Sequence, residues 1–439
     1  MRSAIAVTIA PAALAAGAIA LLLALHAAGA GFHGDPHAVV RDAAPGSRLW
    51  DVTDRRAPVI GVTLLVWLAA FALALAAERL LFARSAVPLP RYIGQRNSGR
   101  TAARGLGLSL VYLPLVCLTC AALEPSVGAE RWLVMLGSPA LAALTLAAFG
   151  GRGVLGRYRA PGGYAALAFA CGATALAYAI DLIGGSALTQ LSIVGPNPAG
   201  GHRFYGIGNE LEAGLVVLIL VGIGAALSGF PVPGHVKSRK RRFEGRGPAA
   251  FLVVAAVFSF VFAYGRYGAD VGAAISLPLG AAVAAALLAG RRDLALYAFL
   301  LPIPALILLS AADLITGANA HLTKTVLDAK SGGDVLGVFG HRISETVSSF
   351  SRPILVAGLP VVLASAVLAW LRRDRLAAWT AGRPALRAGL LGALAATLVG
   401  TLANDSGALL LEVGGAYLLV FLGFAWAESE RPEAARRIL

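Results

Sequence analysis

GGHRFYGIGNELEAGLVVLILVGIGAALS, residues 200–228, opens on His202, Arg203, Asn209, Glu210 and Glu212 and then carries no further charge. Its apolar part, read as a span over 207–228, is long enough to cross a hydrocarbon core of about 30 Å as a helix. The polar groups therefore sit where a membrane helix begins. Similar apolar windows recur along all 439 residues, of which 58% are hydrophobic and only 14% charged, against about 25% charged in soluble domains. Alternating segments of about ten residues, the mark of a membrane β-barrel, are missing. The fold class is all-α: a polytopic transmembrane helical bundle forming one integral-membrane domain over 1–439.

Twelve spans are predicted, over 4–27, 58–77, 106–123, 132–149, 163–184, 207–228, 249–265, 271–290, 294–312, 353–371, 385–403 and 406–427. The loops between them alternate in charge. One set, taken with Arg2, holds 26 of the 37 Lys and Arg residues. The positive-inside bias makes that set cytoplasmic and puts both termini inside. Residues 229–248 are its most basic loop. The opposite, external set has two long members, 28–57 and 313–352, the second with helix-like stretches suited to the interface. "MRS" followed by an apolar run ending in "HAAGAG" also resembles a signal peptide, whose cleavage would leave eleven spans. The run is about 22 residues, against a usual 7–15, which favours a retained helix.

The net charge of +14 does not point to nucleic acid, because the basic residues lie in short loops rather than on one stripe. Cys117 and Cys120 form a C-x-x-C inside an apolar run and Cys171 lies in another. With no second pair, helix packing is the expected role.

Three segments stand out: "GIGNELEAG" at 206–214, "YGRYGADVG" at 264–272 and "LANDSGALLLEVG" at 402–414. Each closes an external hairpin, opens an inward-running helix, and sets an acid (Glu210, Asp270 or Asp405) beside Gly, Ala or Asn. The topology predicts a polar bowl opening outward. It would be floored by three helix N-termini, whose N–H groups carry partial positive charge, and walled by Arg203 and Arg266. A simpler reading is helix capping, which Asn209 with Glu212, and Asn404, Asp405 and Ser406, would satisfy. Capping leaves Glu210 unexplained. It also leaves Glu412, seven residues beyond Asp405, as an expensive carboxylate inside the span. Asp181 and Asp313 are weaker candidates: each ends an outgoing span, where marking the water boundary is role enough, and the approach from Asp181 to the first motif gives it a second reading, facing the same bowl. His202 lies beside Arg203, whereas His321 and His341 read as solvated loop residues.

The run "DLIGGSALTQLSIVGPNPAGGHRFYGIGNELEAG", 181–214, with "GADVG" and "NDSG" downstream, resembles a signature of poorly characterised bacterial multi-pass membrane proteins with RFYGxGNE, GADxG and NDSG motifs. The resemblance implies Asp181, Arg203, Tyr205, Asn209, Glu210, Asp270, Asn404 and Asp405 as site positions. It also implies an envelope setting in the bacterial cytoplasmic membrane. Some members of that family are joined to an extracytoplasmic domain similar to the alkaline-phosphatase superfamily, which implies a partner of that kind. This chain departs from the signature after Glu210, with Leu211 and Glu212 where the family carries an aromatic.

Two function classes follow, with an envelope-complex scaffold as a third. As a transporter, the carboxylates Glu210, Asp270 and Asp405 would take a coupling proton or sodium ion, with Glu412 as a relay. Arg203, Arg266 and the helix ends would then meet an anionic or lipid-linked substrate. As an integral-membrane enzyme, Glu210, Asp270 and Asp405 would hold Mg²⁺ or Mn²⁺, and the arginines would stabilise a phosphate leaving group. No metalloprotease, nucleophile-elbow or P-loop motif is present.

Overall fold

The computed structural model describes residues 52, 54–84, 98–149, 162–196, 206–229, 236–316, 344, 347–350, 353–404 and 406–429. The first predicted span, most of both long external loops, and His202, Arg203, Tyr205 and Asp405 lie outside the described residues. Among the described residues every regular element is helical. Ten helices are long and apolar enough to cross a membrane, and they coincide with ten of the predicted windows. The window at 353–371 is helical throughout, as Pro353–Leu371.

The chain enters through a π-helical turn, Ala57–Gly61, into α1 (Val62–Arg84). There follow α2 (Ser98–Leu123), α3 (Val127–Phe149), α4 (Gly162–Ile183), α5 (Asn209–Gly229), α6 (Val236–Ala263) and α7 (Val271–Leu288). Then come α8 (Arg292–Tyr297), α9 (Pro302–Thr316), α10 (Pro353–Leu371), α11 (Arg373–Trp379), α12 (Pro384–Ala403) and α13 (Gly407–Glu428). The window at 294–312 is not one straight helix. Pro302 and Pro304 lack the N–H that would continue the ladder, so α8 passes through a 3₁₀ turn at Ala298–Leu300 before α9 starts. The basic stretch 229–248 is only partly a loop: α6 begins at Val236, because Lys and Arg are good helix formers. Gly290, at φ 73°, ends α7 in the left-handed conformation, and Arg291 N–H closes back onto Ala286 C=O at 2.9 Å.

Helix α5 is the axis of the bundle. Around it run α4, α2, α13, α12, α7 and α6, each touching the next, with α6 closing back on α4. Outside this ring, α1 and α3 lie on α2, α8 and α9 on α7, and α10 and α11 on α13. The sequence of α5 explains its place: it is apolar on every side, and a helix apolar all round is a buried one. The outer helices turn Leu65, Leu68, Ile307, Leu308, Val361 and Leu363 outward, as lipid-facing surfaces do.

Lipid supplies no hydrophobic drive between helices, so close approach of small residues has to hold the ring. A Cβ at Gly389 would meet Leu220 O of α5 at 2.6 Å, and one at Gly224 would meet Ala385 O at 2.7 Å. On the other side of α12, a Cβ at Gly280 would meet Gly392 O at 2.7 Å, and Gly392 faces Gly280 O in return. Thus α12 is wedged between α5 and α7 with backbone against backbone. Freed polar groups are also accounted for. Pro114 cannot bond back to Leu110 C=O, and Tyr417 Oη of α13 donates to that carbonyl at 3.3 Å. At the end of the bundle where α2, α4 and α12 begin, Arg104 pairs with Glu428 and Arg383 donates to Ser228 O at 3.0 Å.

Gly392→Ala should destabilise the protein by about 1–3 kcal/mol, the usual effect of overpacking, because the new methyl strikes the Gly280 backbone. Gly105→Ala, with nothing within 4 Å of the added carbon, should not. Thermal melts of both variants in detergent check this.

Candidate functional site

The first two motifs are joined by their backbones. Ile207 N–H donates to Gly268 C=O at 3.0 Å. Gly206 sits at φ 79°, and a Cβ there would run into Gly268, so only glycine fits. The second motif is itself a tight turn. Ala269 takes φ 52°, a left-handed conformation that alanine rarely adopts. Gly268 N–H and Asp270 N–H return to Val261 O and Phe262 O at 3.0 and 2.9 Å. The turn delivers Asp270 to the N-cap of α7, where its Oδ1 accepts Gly272 N–H at 2.9 Å.

The third motif closes the triangle. Asn404, which ends α12, donates from Nδ2 to Asn209 Oδ1 at the start of α5, at 3.2 Å. The same Nδ2 lies over Gly272, 2.8 Å from where a Cβ would stand. Asn404 Oδ1 accepts Ser406 N–H at 3.2 Å, and Ser349 Oγ accepts Ala408 N–H at 3.1 Å. The starts of α5, α7 and α13 thus meet at one place. Those of α7 and α13 already have side-chain oxygens on their first N–H groups.

One turn deeper lies a second polar layer. Glu212 is 1% exposed, and its Oε1 accepts a 2.6 Å hydrogen bond from Ser276 Oγ of α7. Asp270 lies near enough for the two carboxylates to interact electrostatically. Glu212 and Ser276, with Ala213, Val216, Ala396, Thr397, Gly400 and Leu410, line a small cavity between α5, α7, α12 and α13. It has room for about one water. Glu212 Oε2 and Thr397 Oγ1 are buried there without a hydrogen-bond partner among the described residues.

Glu210 stands apart at the rim. It pairs with Arg56 at 3.2 Å, and Arg56 also donates to Gly195 O and, at 3.0 Å, to Pro196 O. The adjacent Arg55 reaches Glu130 of α3 at 3.7 Å. Sequence reading placed Arg56 in an external loop and missed it, although "DRRAP" just before an apolar run marks a helix start. The carbonyls that Arg56 binds are held in place by Asp181. That carboxylate is fully buried at the end of α4. It accepts Leu188 N–H at 3.0 Å, Thr189 N–H at 2.7 Å and Thr189 Oγ1–H at 2.6 Å. Asp181 therefore organises the 184–196 loop, and these bonds turn its carboxylate toward that loop.

Other expected members of the site are distributed as follows. Asn209, Glu212, Asp270, Asn404 and Ser406 come together. Arg266 is exposed on the turn before α7. Glu412 is directed away: Leu410 lines the cavity, and two residues on, about 200° round the helix, Glu412 faces α10, where a Cβ at Gly358 would touch its carboxylate at 2.6 Å. The expected role of Glu412 as a relay does not fit this direction, since its carboxylate faces α10 and it does not line the cavity. His202, Arg203, Tyr205 and Asp405 lie outside the described residues. Of the expected metal ligands, Glu210 is engaged by Arg56. Among the described residues no group of three or more His, Cys, Asp or Glu side chains is arranged to hold a metal ion. Ser276 and Thr397 were missed, because lone hydroxyls in apolar helices are common and give no spacing signal.

Asp181→Asn turns one acceptor oxygen into a donor facing N–H or O–H groups. It should destabilise the protein by about 1–3 kcal/mol, the cost of a buried unsatisfied polar group. Asp181→Glu should not rescue it, since the longer side chain shifts both oxygens. Thermal melts in detergent check both.

Comparisons with protein-family models, with curated proteins and with solved structures find no match for this chain.

Proposed function

We propose that this multi-pass membrane protein is a transporter of the bacterial cytoplasmic membrane, moving an anionic or lipid-linked envelope substrate coupled to a cation. The observation that carries the reading is the burial of Glu212 beside Asp270 where three helix starts converge. Intramembrane carboxylates are expensive, and they typically serve ion or proton pathways. Convergent helix ends around such groups are a recurring way to build a transport site. The start of α7 is capped by Asp270 and that of α13 by Asn404 and Ser349, so those ends offer little to an anion. The anionic part of a substrate is assigned to the rim, where Arg56 is partly exposed and Arg266 exposed. The envelope setting rests on the motif resemblance.

Lipid and metabolite profiling of a strain lacking the gene tests this. One lipid-linked or phosphorylated envelope species should accumulate, and the wild-type gene should clear it. Glu212→Gln and Asp270→Asn, made to equal membrane levels, should lose about tenfold or more of that clearance, the scale of one lost buried charge contact. Full complementation by Glu212→Gln would exclude the buried pair from the function. Substrate turnover without flux in reconstituted vesicles would favour an enzyme instead.

A further inference from the structure

We infer that the cavity between α5, α7, α12 and α13 is an occluded site for one monovalent cation, held by the Glu212 carboxylate with the hydroxyls of Ser276 and Thr397, and exchanged there against a proton. The inference rests on the transport reading for its purpose, since an occluded exchange site serves a protein that moves ions.

Three observations meet in it. First, Glu212 Oε2 is buried without a partner, and no Lys, Arg or His pairs with Glu212 among the described residues. A carboxylate cannot remain charged and unpaired in such a place. It is neutralised by a proton or by a cation. Second, the cavity supplies more than a proton needs. Thr397 lines it, and its Oγ1 is buried without a hydrogen-bond partner among the described residues. Ser276 Oγ lines it too, and has given its hydrogen to Glu212 Oε1 at 2.6 Å, so its lone pairs are left for a cation. Third, the space is about one water molecule in size. A divalent ion would need either six to eight oxygens or an octahedral shell with several waters. One carboxylate and two hydroxyls supply neither, and the single carboxylate in the lining balances a single charge.

The charged and titratable surroundings are few. Asp270 faces Glu212 from α7. From α12 come Thr397 and Asn404, and from α13 Leu410, with Tyr417 further along against Gly214. Cys171 of α4 lies deeper still, against Gly222. Glu210 is turned to Arg56, Asp181 to its own loop, and Glu412 to α10. Exchange is balanced: as the cation leaves, a proton from water joins Glu212 Oε2, and the site keeps its charge.

Equilibrium binding of radioactive sodium to the purified full-length protein in detergent, from pH 5 to pH 9, is the test. One saturable site is expected per chain. Its affinity should fall about tenfold per pH unit on the acid side, the slope of one-for-one exchange. Glu212→Gln should abolish binding. Thr397→Val, nearly the same shape without the hydroxyl, should weaken it by about tenfold, roughly the value of one lost ligand. Glu412→Gln, an intramembrane acid facing the other way, should leave it unchanged. Lithium and potassium, added as competitors, identify the preferred alkali ion. No saturable binding of any of the three at any pH, or sodium binding that survives Glu212→Gln, overturns the inference. Binding in a protein that moves no substrate would remove the transport reading and leave the site. Proton-coupled flux without alkali-ion binding would do the reverse.

Discussion

The constraint on which the rest depends is the cost of a carboxylate inside a membrane bundle. Glu212 lies in the first turn of the most enclosed helix in the structure, 1% exposed, in surroundings where an isolated charge is several kcal/mol unfavourable. Only a local polar environment makes that position tolerable, and the neighbouring elements supply one. Ser276 of α7 meets one oxygen, and a water-sized space edged by Thr397 of α12 meets the other. That environment requires α5, α7 and α12 to approach closely. The glycine contacts at Gly224, Gly280, Gly389 and Gly392 permit the approach by letting backbone meet backbone. Packing in the middle of the bundle and chemistry near its end are thus one arrangement.

Above Glu212 the polar groups are layered. The Asn209–Asn404 bond and the Asp270 cap hold three helix starts together. At the rim, Arg56 ties Glu210 to carbonyls of a loop that Asp181 holds in shape. The rim pair is partly exposed, and exposed pairs are worth little in stability. Its weight lies in tying the segment that enters α1 to the start of α5 and to the 184–196 loop. Of the two acids in the first turn of α5, the buried Glu212 lies at the cavity and the more exposed Glu210 pairs with an arginine.

Much of this was legible in the sequence. Long apolar runs and the charge alternation of the loops predicted a helical bundle, and ten helices match the predicted windows. The meeting of the 206–214, 264–272 and 402–414 motifs followed from topology, since acids beside glycine at equivalent helix starts all fall at one end. What failed was side-chain direction. Glu412 was read as facing the interior because a carboxylate two turns into a span is costly, yet its carboxylate lies against Gly358 of α10. Asp181 was read as facing the bowl because the chain after it leads to the first motif, yet its oxygens are taken by backbone N–H groups five and six residues past the end of α4. Arg56 was hidden by a boundary error, and Ser276 and Thr397 by their ordinariness. Those three positions are defined by long-range packing, which a single sequence does not display.

The central claim is spatial: the three motifs meet at the start of α5, beside one small cavity. Paired cysteines at Asn209 and Asn404, in a protein whose native cysteines are replaced, test it directly in native membranes with a short thiol-to-thiol cross-linker. The account predicts an efficient cross-link between α5 and the end of α12, with a control pair, Asn209→Cys and Leu371→Cys, giving none. Failure of the first pair to link, while each cysteine alone remains reactive to a monofunctional thiol reagent, would contradict it.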